Sequence, residues 1–333
     1  LQGQQASAIP WAIGVRCAGV SRARVEESFA RGELVRSWPM RGTVHVTSAR
    51  DHHWLRRLLR HRRASWERQA LALGLTAALV ERAAQVACDL LETSPLGVSR
   101  AELVEAWGSS GIDTVTASSS QDGLRRRHLI MRLHVDGVLT AGPVRSGEHL
   151  IVDARSLPAA PGVAKGEPGH EEALAVLAAR YAWGHGPVDE ADLARWTGLT
   201  LTEARRAMAG ARVAGNSIGL PIAEFEGGLA RADLADLVEA AIDEAEAMLA
   251  LPSFDELHVG YKDRSCLTDE AGEALICPAK NGMFRPIAVA GGRVVAVRAP
   301  GSRVVTADGC GTYEESARRA FGDWEKWLSE TQQ

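Results

Sequence analysis

Apolar positions recur along this chain in two rhythms, a helical one of three to four residues and a strand one of two, and their order repeats. The repeat is clearest in the middle. Ala101, Leu103, Val104 and Trp107 predict a helix over Val98–Trp107, opened by Ser99 as its cap. A serine-rich loop, Ser118–Ser120, comes next. Leu124–Val135 predicts a second helix with Leu129, Ile130 and Leu133 inward, stopped by Asp136-Gly137. Val138-Leu139-Thr140 and Leu150-Ile151-Val152 then alternate around a polar tip, Arg145–Glu148, as a β-hairpin. Helix, helix, hairpin is the order of a winged helix.

The same tail occurs earlier. Arg24–Ala30 reads as a helix broken by Gly32, and Leu34–Trp38 and Thr43–Val46 read as strands around a tip carrying Arg41. A helix from Ala49 sets Trp54, Leu55, Leu58 and Leu59 on one side and Arg56, Arg57, Arg60, Arg62 and Arg63 on much of the rest. Later, Val188–Trp196, a turn at Thr197-Gly198-Leu199 and Thr200–Met208 read as a helix-turn-helix, with Thr200 three residues before Glu203. A helical hairpin kept only for packing fits that text as well. Leu157–Gly169, rich in proline and glycine, reads as a linker.

Near the end, Ile287–Val289, Gly291-Gly292 and Val294–Val297 form a hairpin pattern. Leu257-His258-Val259, Leu275-Ile276-Cys277 and Val304-Val305 offer further short strands for a small sheet or barrel, and Glu314–Leu328 closes as a helix with Phe321, Trp324 and Leu328 inward. The expectation is an α+β chain: a first winged helix at 1–70 with upstream helices missing, a second at 71–158, a linker and third at 159–250, and a β-rich unit with its closing helix at 251–333.

Charge sharpens this picture. The whole chain carries −4, yet residues 1–68 hold 13 arginines, no lysine and five acidic residues, a balance of +8 that leaves −12 for the remainder. A basic module on an acidic body suits a polyanionic partner; chance asymmetry in an Arg-rich composition is the bland alternative. Five cysteines without a C-x-x-C pair point to a reducing cytoplasm and away from zinc, iron–sulfur or disulfide chemistry. No apolar run reaches membrane-span length, and the chain opens on Leu1 rather than Met, so the numbering is expected to begin inside a longer product.

Phosphate-loop, dinucleotide, H-E-x-x-H and G-x-S-x-G texts are missing. His52 and His53 are adjacent on a helix and point apart, which disfavours a metal site and suggests surface or DNA-facing positions. The most unusual text is Leu1-Gln2-Gly3-Gln4-Gln5, before a segment that turns apolar at Ile9, Trp11, Ile13 and Val15. Read alone, it is equally a solvated polar end.

Four segments resemble the AlkZ–YcaQ family of winged-helix DNA glycosylases. They are Leu1-Gln2-Gly3-Gln4 with Ala8, Trp11 and Arg16, similar to the family's Q-Φ-Q stretch; Arg36 to Val46 with Asp51 and Trp54, similar to its R-x-W-x-M-R-G-T-x-H block; Gly186-Pro187, Asp192–Ala194, Trp196 and Gly198-Leu199; and Leu251–Glu256 with Gly260–Ser265, similar to P-x-F-D-E…G-Y-x-D-R-S. Two departures are Gly3, where the family has a more apolar residue, and Gln5, where an acidic one is common. The resemblance implies three tandem winged helices and a β-barrel curved around a DNA channel, with Gln2 and Gln4 as the catalytic pair.

The chemistry needs nothing stronger than amides. Alkylation at N7 makes guanine a cation that departs as a neutral molecule, so positioning a water and the sugar suffices. The expected function is a monofunctional glycosylase acting on cationic alkylated purines in duplex DNA, without metal or cofactor, cytoplasmic and nucleoid-associated, as a monomer. Arg41, Thr43, His45, Arg57, Arg60, Lys262 and Arg264 are the candidate DNA contacts, with Lys262 and Arg264 on one strand face. His45 is equally readable as a packed core histidine, and Asp263 as a structural partner of its neighbours. A winged-helix regulator without activity is the leading alternative, and a degenerate scaffold a third.

Overall fold

Capping side chains and turn glycines set most element boundaries. The computed structural model describes residues 1–62, 64–112, 119–158 and 163–330. In chain order they form α1 (Ile9–Gly14), α2 (Arg22–Ala30), β1 (Leu34–Met40), β2 (Thr43–Ser48), α3 (Ala49–Leu58), α4 (Ala64–Ala72), α5 (Ala77–Glu92), α6 (Arg100–Ser109), α7 (Ser119–Asp136), β3 (Leu139–Arg145) and β4 (Glu148–Asp153). Then follow α8 (His170–His185), α9 (Glu190–Thr197), α10 (Leu201–Ser217), β5 (Ile222–Phe225), β6 (Gly228–Arg231), α11 (Leu234–Ala245), β7 (Leu249–Leu251), α12 (Glu256–Val259), α13 (Glu270–Ile276), β8 (Ile287–Ala290), β9 (Arg293–Ala299), β10 (Arg303–Thr306) and α14 (Glu314–Ser329). The chain divides into two units, Glu26–Pro168 and Leu1–Val25 with Gly169–Gln333.

In the first of these units, β1 and β2 pair from Leu34↔Ser48 to Met40↔Thr43. Their two-residue tip, Arg41-Gly42, has positive φ at both positions (54° and 67°), the turn whose twist matches paired strands. The β3–β4 hairpin ends the same way at Ser146-Gly147. The two hairpins meet at Arg36↔Ala141 and make one sheet in the order β2-β1-β3-β4. Helices α5, α6 and α7 bury Leu91, Leu103, Trp107, Leu129 and Leu133 with Leu139 of the sheet. Ser99 and Glu102 form a full capping box on α6, and Val98 pairs with Ile151 as an isolated bridge. The order is therefore helix, bridge, helix, helix, hairpin.

The second unit repeats that order with α8, a Val188↔Leu229 bridge, α9, α10 and the β5–β6 hairpin. Gly198 (φ 81°) ends α9, and a Thr200–Glu203 capping box opens α10. A four-stranded sheet, β10-β9-β8-β7, follows. Phe321 and Trp324 of α14 bury against Ala250, Ala288 and Ala296 of that sheet.

Several expectations need correction. Leu257-His258-Val259 and Leu275-Ile276-Cys277 are not strands; they lie in α12 and at the end of α13, because Asp255 and Asp269 cap short helices ahead of them. Lys262 and Arg264 consequently share no strand face; both stand in the irregular stretch after α12. Ser119 and Ser120 begin α7 rather than a loop, while Ser118 lies outside the described residues. His52 is not at the surface: it is 0% exposed, on the face of α3 that buries Ala49, Leu55 and Leu58. His53 is half-buried, its Nε2 2.7 Å from Ala154 O. The expected linker falls partly on residues 159–162, outside the described residues.

Candidate active site

The glutamine stretch enters α1 through one short turn, Ala6–Ala8, with Gln5 extended before it. Gln2 and Gln4 are half-buried, Gly3 between them is buried, and Gln5 is exposed, its Nε2 donating to Ser7 Oγ at 3.3 Å. The stretch belongs to the same unit as residues 169–333.

What Gln2 meets there is a carboxylate. Its backbone N–H donates to Glu256 Oε2 at 3.1 Å. Glu256 opens α12 and is only 6% exposed. Its Oε1 also accepts from Trp196 Nε1 at 2.5 Å and lies 3.4 Å from His185 Nε2. Burying a carboxylate is costly unless donors replace its water, and the N–H groups of Gln2 and Trp196, from two separate segments, do so here.

Arg16, just past α1, donates to both oxygens of Asp255, at 2.9 Å and 2.7 Å, and to Ala12 O at 3.0 Å. Burial alone would lower the Arg16 pKa; the Asp255 carboxylate outweighs it and holds the guanidinium above its ordinary value. Asp255, 3% exposed, also accepts from Leu257 N at 2.9 Å as the α12 cap.

Aromatic rings wall the same place. Tyr181 stacks on His185 (4.6 Å) and on Trp196 (4.8 Å), and its hydroxyl donates to Gly260 O. Tyr261 donates to His185 O at 2.9 Å. Burial first, then the charges of Glu256 and Asp192, push the Tyr261 pKa up to about 12, so it stays a neutral donor. Arg16, Trp196, Asp255, Glu256 and Tyr261 all stand in segments that carried the family resemblance, yet sequence reasoning gave none of them a role; Tyr181 and His185 had no signal at all.

The expected DNA contacts fall in both units. Arg41, at the β1–β2 tip, is half-buried with Nη2 3.3 Å from His45 Nε2. His45 is 1% exposed, with Nδ1 3.0 Å from Thr43 O. With that nitrogen protonated, Nε2 accepts from Arg41, so His45 braces the tip from inside. Thr43 is half-buried. Arg57 and Arg60 are exposed and pair with Glu167 (2.7 Å) and Asp136 (3.1 Å). In the glutamine unit, Lys262 is exposed and its backbone N–H donates to Asp192 Oδ1, whereas Arg264 is half-buried and pairs with Glu273 at 3.1 Å. Asp263 accepts from Ser265 N at 2.8 Å. Among the described residues, no group of three or more His, Cys, Asp or Glu could hold a metal ion, and no helix is long and apolar enough to cross a membrane.

No curated protein matches the sequence. Among solved structures, the chain is similar in fold to the Streptomyces sahachiroi DNA glycosylase AlkZ, with a TM-score of 0.62 at 23% identity, over 97% of this chain and 88% of that one. The family model for DNA glycosylase AlkZ-like proteins matches residues 1–322. The chain therefore belongs to the AlkZ-like DNA glycosylase family and is a hydrolase of N-glycosyl bonds.

Proposed function

We propose that this glycosylase removes cationic alkylated purines, N7-alkylguanine foremost and bulky or crosslinking adducts by extension, from duplex DNA, in base excision repair or in self-resistance to a genotoxin. Gln2 and Gln4 are the catalytic pair. The observation that carries this reading is the half-buried glutamine stretch, tied by the Gln2 backbone N–H to buried Glu256.

The mechanism follows from the leaving group. A purine alkylated at N7 already bears the charge that a general acid would otherwise supply. Bond breaking leaves positive charge on the sugar, and a side-chain amide oxygen can face that charge or accept a hydrogen bond from the attacking water and so orient it. The amide NH₂ can donate to sugar or phosphate. Positioning of this kind is the main lever available to a group that neither gives nor takes a proton.

The helix–bridge–helix–helix–hairpin orders of residues 77–153 and 170–231 support reading these segments as winged helices, with a third, partial one around α2, β1 and β2. Arg41, Arg57, Arg60, Lys262 and Arg264 serve as phosphate contacts, with Thr43 and His45 shaping the Arg41 tip. Lys262 is exposed rather than held in the apolar pocket that activates a Schiff-base lysine, in keeping with a monofunctional enzyme.

The test is base release from duplex DNA carrying N7-methylguanine. Wild type releases free base, and Gln2→Ala with Gln4→Ala lowers the rate by at least ~100-fold. Borohydride traps no covalent adduct. Sequence-selective binding to undamaged duplex with no release from any alkylated DNA overturns the proposal in favour of a regulator.

A further inference from the structure

The segment Gln2–Arg16 has little regular structure ahead of α1, one short turn at Ala6–Ala8 and a bridging residue at Gln2. Two buried carboxylates, adjacent in sequence, tie this one at both ends. Glu256 takes the Gln2 backbone N–H, and Asp255 takes the Arg16 guanidinium in a two-pronged pair. We propose that Asp255 and Glu256 are positioning residues for the reaction, fixing the segment Gln2–Arg16 so that the two amides stand where the sugar and water need them. This rests on the reading of Gln2 and Gln4 as the catalytic pair.

Helix capping does not account for the arrangement. The cap of α12 needs one acceptor for Leu257 N, which Asp255 Oδ1 supplies and which Ser, Thr or Asn also supply. Glu256, inside the helix, has no capping duty, yet it is buried and its oxygens face outward from α12 to Gln2, Trp196 and His185. The Arg16–Asp255 geometry is the parallel, two-bond kind that fixes orientation as well as distance. Between them Trp11 donates to Ala250 O at 2.6 Å and packs on Trp324, which anchors α1; the ties at residues 2 and 16 add a fixed point on either side of that anchor. Because Trp196 and His185 lie in the last turns of α9 and α8, the same carboxylate also links the glutamines to that helix pair.

The discriminating variant is Glu256→Gln, which keeps size and one acceptor oxygen and so spares the fold better than Glu256→Ala. Single-turnover release of N7-methylguanine is expected to fall ~10- to 100-fold, the scale of an ångström-sized misplacement. Affinity for undamaged duplex should change less than ~2-fold, and deuterium uptake across residues 1–16 should rise while other segments keep theirs. Asp255→Asn, which retains the cap, should loosen the Arg16 end in the same assay.

A merely structural carboxylate would cost the same factor in any background. A positioning one acts through the two amides, so in a Gln2→Ala, Gln4→Ala background Glu256→Gln should cost less than ~3-fold. Equal losses in both backgrounds, undiminished release, or unchanged deuterium uptake would each overturn the positioning role alone. Wild-type protein that releases nothing from any alkylated duplex would overturn the reading of the glutamines first, and this role with it.

Discussion

Trp196 donates its indole N–H to Glu256 Oε1 at 2.5 Å while its ring stacks on Tyr181 at a centroid distance of 4.8 Å. The two contacts can be separated chemically. Trp196→Phe keeps an aromatic ring for Tyr181 and removes the donor, leaving a buried carboxylate with one partner fewer. A lost hydrogen bond to a charged, buried group costs about 1–3 kcal/mol. Denaturant unfolding should show a lower midpoint with an unchanged slope, the mark of a stability loss without a change in the surface exposed.

Acid should weaken the Glu26–Pro168 unit through its buried histidines. His52 is pushed down to about 3, by burial first and then by the nearby His53 and Arg56. His134, fully buried, is pushed well below its ordinary value by burial, then by His52 and Arg36. A folded pKa below the unfolded one means that the unfolded chain binds more protons. The stabilisation is thus complete above about pH 6.5 and is lost as pH falls towards the folded value, by up to about 1.4 kcal/mol per pH unit for each histidine. Urea unfolding of wild type and His52→Phe at pH 7, 5.5 and 4.5 measures it: the variant's stability should fall less steeply.

Local chemistry was legible in the sequence and distant pairing was not. Ser99–Glu102 and Thr200–Glu203 announce α6 and α10 because a capping box needs only residues three apart. The tip at Arg41-Gly42 was equally visible. Leu257–Val259 and Leu275–Cys277 misled because a run of three residues is too short to carry a period, and the deciding signals were the aspartates Asp255 and Asp269 ahead of them. His52 could have been found, since Ala49, His52 and Leu55 fall on one helical face with Leu59; pairing it with His53 obscured that spacing. The Arg36↔Ala141 junction joins two hairpins about a hundred residues apart. The Gln2–Glu256 bond spans 254 residues, so the candidate site could be recognised by resemblance but not assembled from periodicity.

Arg57 and Arg60 give a salt-dependence test. Arg57 and Glu167 form a solvent-exposed pair, worth about 0–1 kcal/mol, and the half-buried Asp136 that Arg60 meets keeps a second partner in Arg132, so a phosphate can replace either carboxylate at little cost. If both arginines contact DNA, Arg57→Ala and Arg60→Ala should each reduce the slope of log affinity against log salt by about 0.9 and leave thermal stability nearly unchanged. An unaltered slope assigns them to the surface alone.

Lesion charge is the sharpest discriminator for the amide mechanism. An enzyme with a general acid can expel a neutral purine by protonating it, and its rate then bends with pH around the pKa of that acid. Glutamine amides do not titrate, so the departing base must bring its own charge. Release should be fast for N7-methylguanine and N3-methyladenine and at least ~100-fold slower for neutral lesions such as hypoxanthine, a gap equivalent to about 3 kcal/mol of barrier. Single-turnover release of N7-methylguanine should also be flat from pH 6.5 to 8.5, above the range in which His52 charges and below the titration of Tyr261 at about 12. A bell-shaped profile in that window, or comparable rates on a neutral base, places a titrating acid in the site and removes Gln2 and Gln4 from the centre of the mechanism.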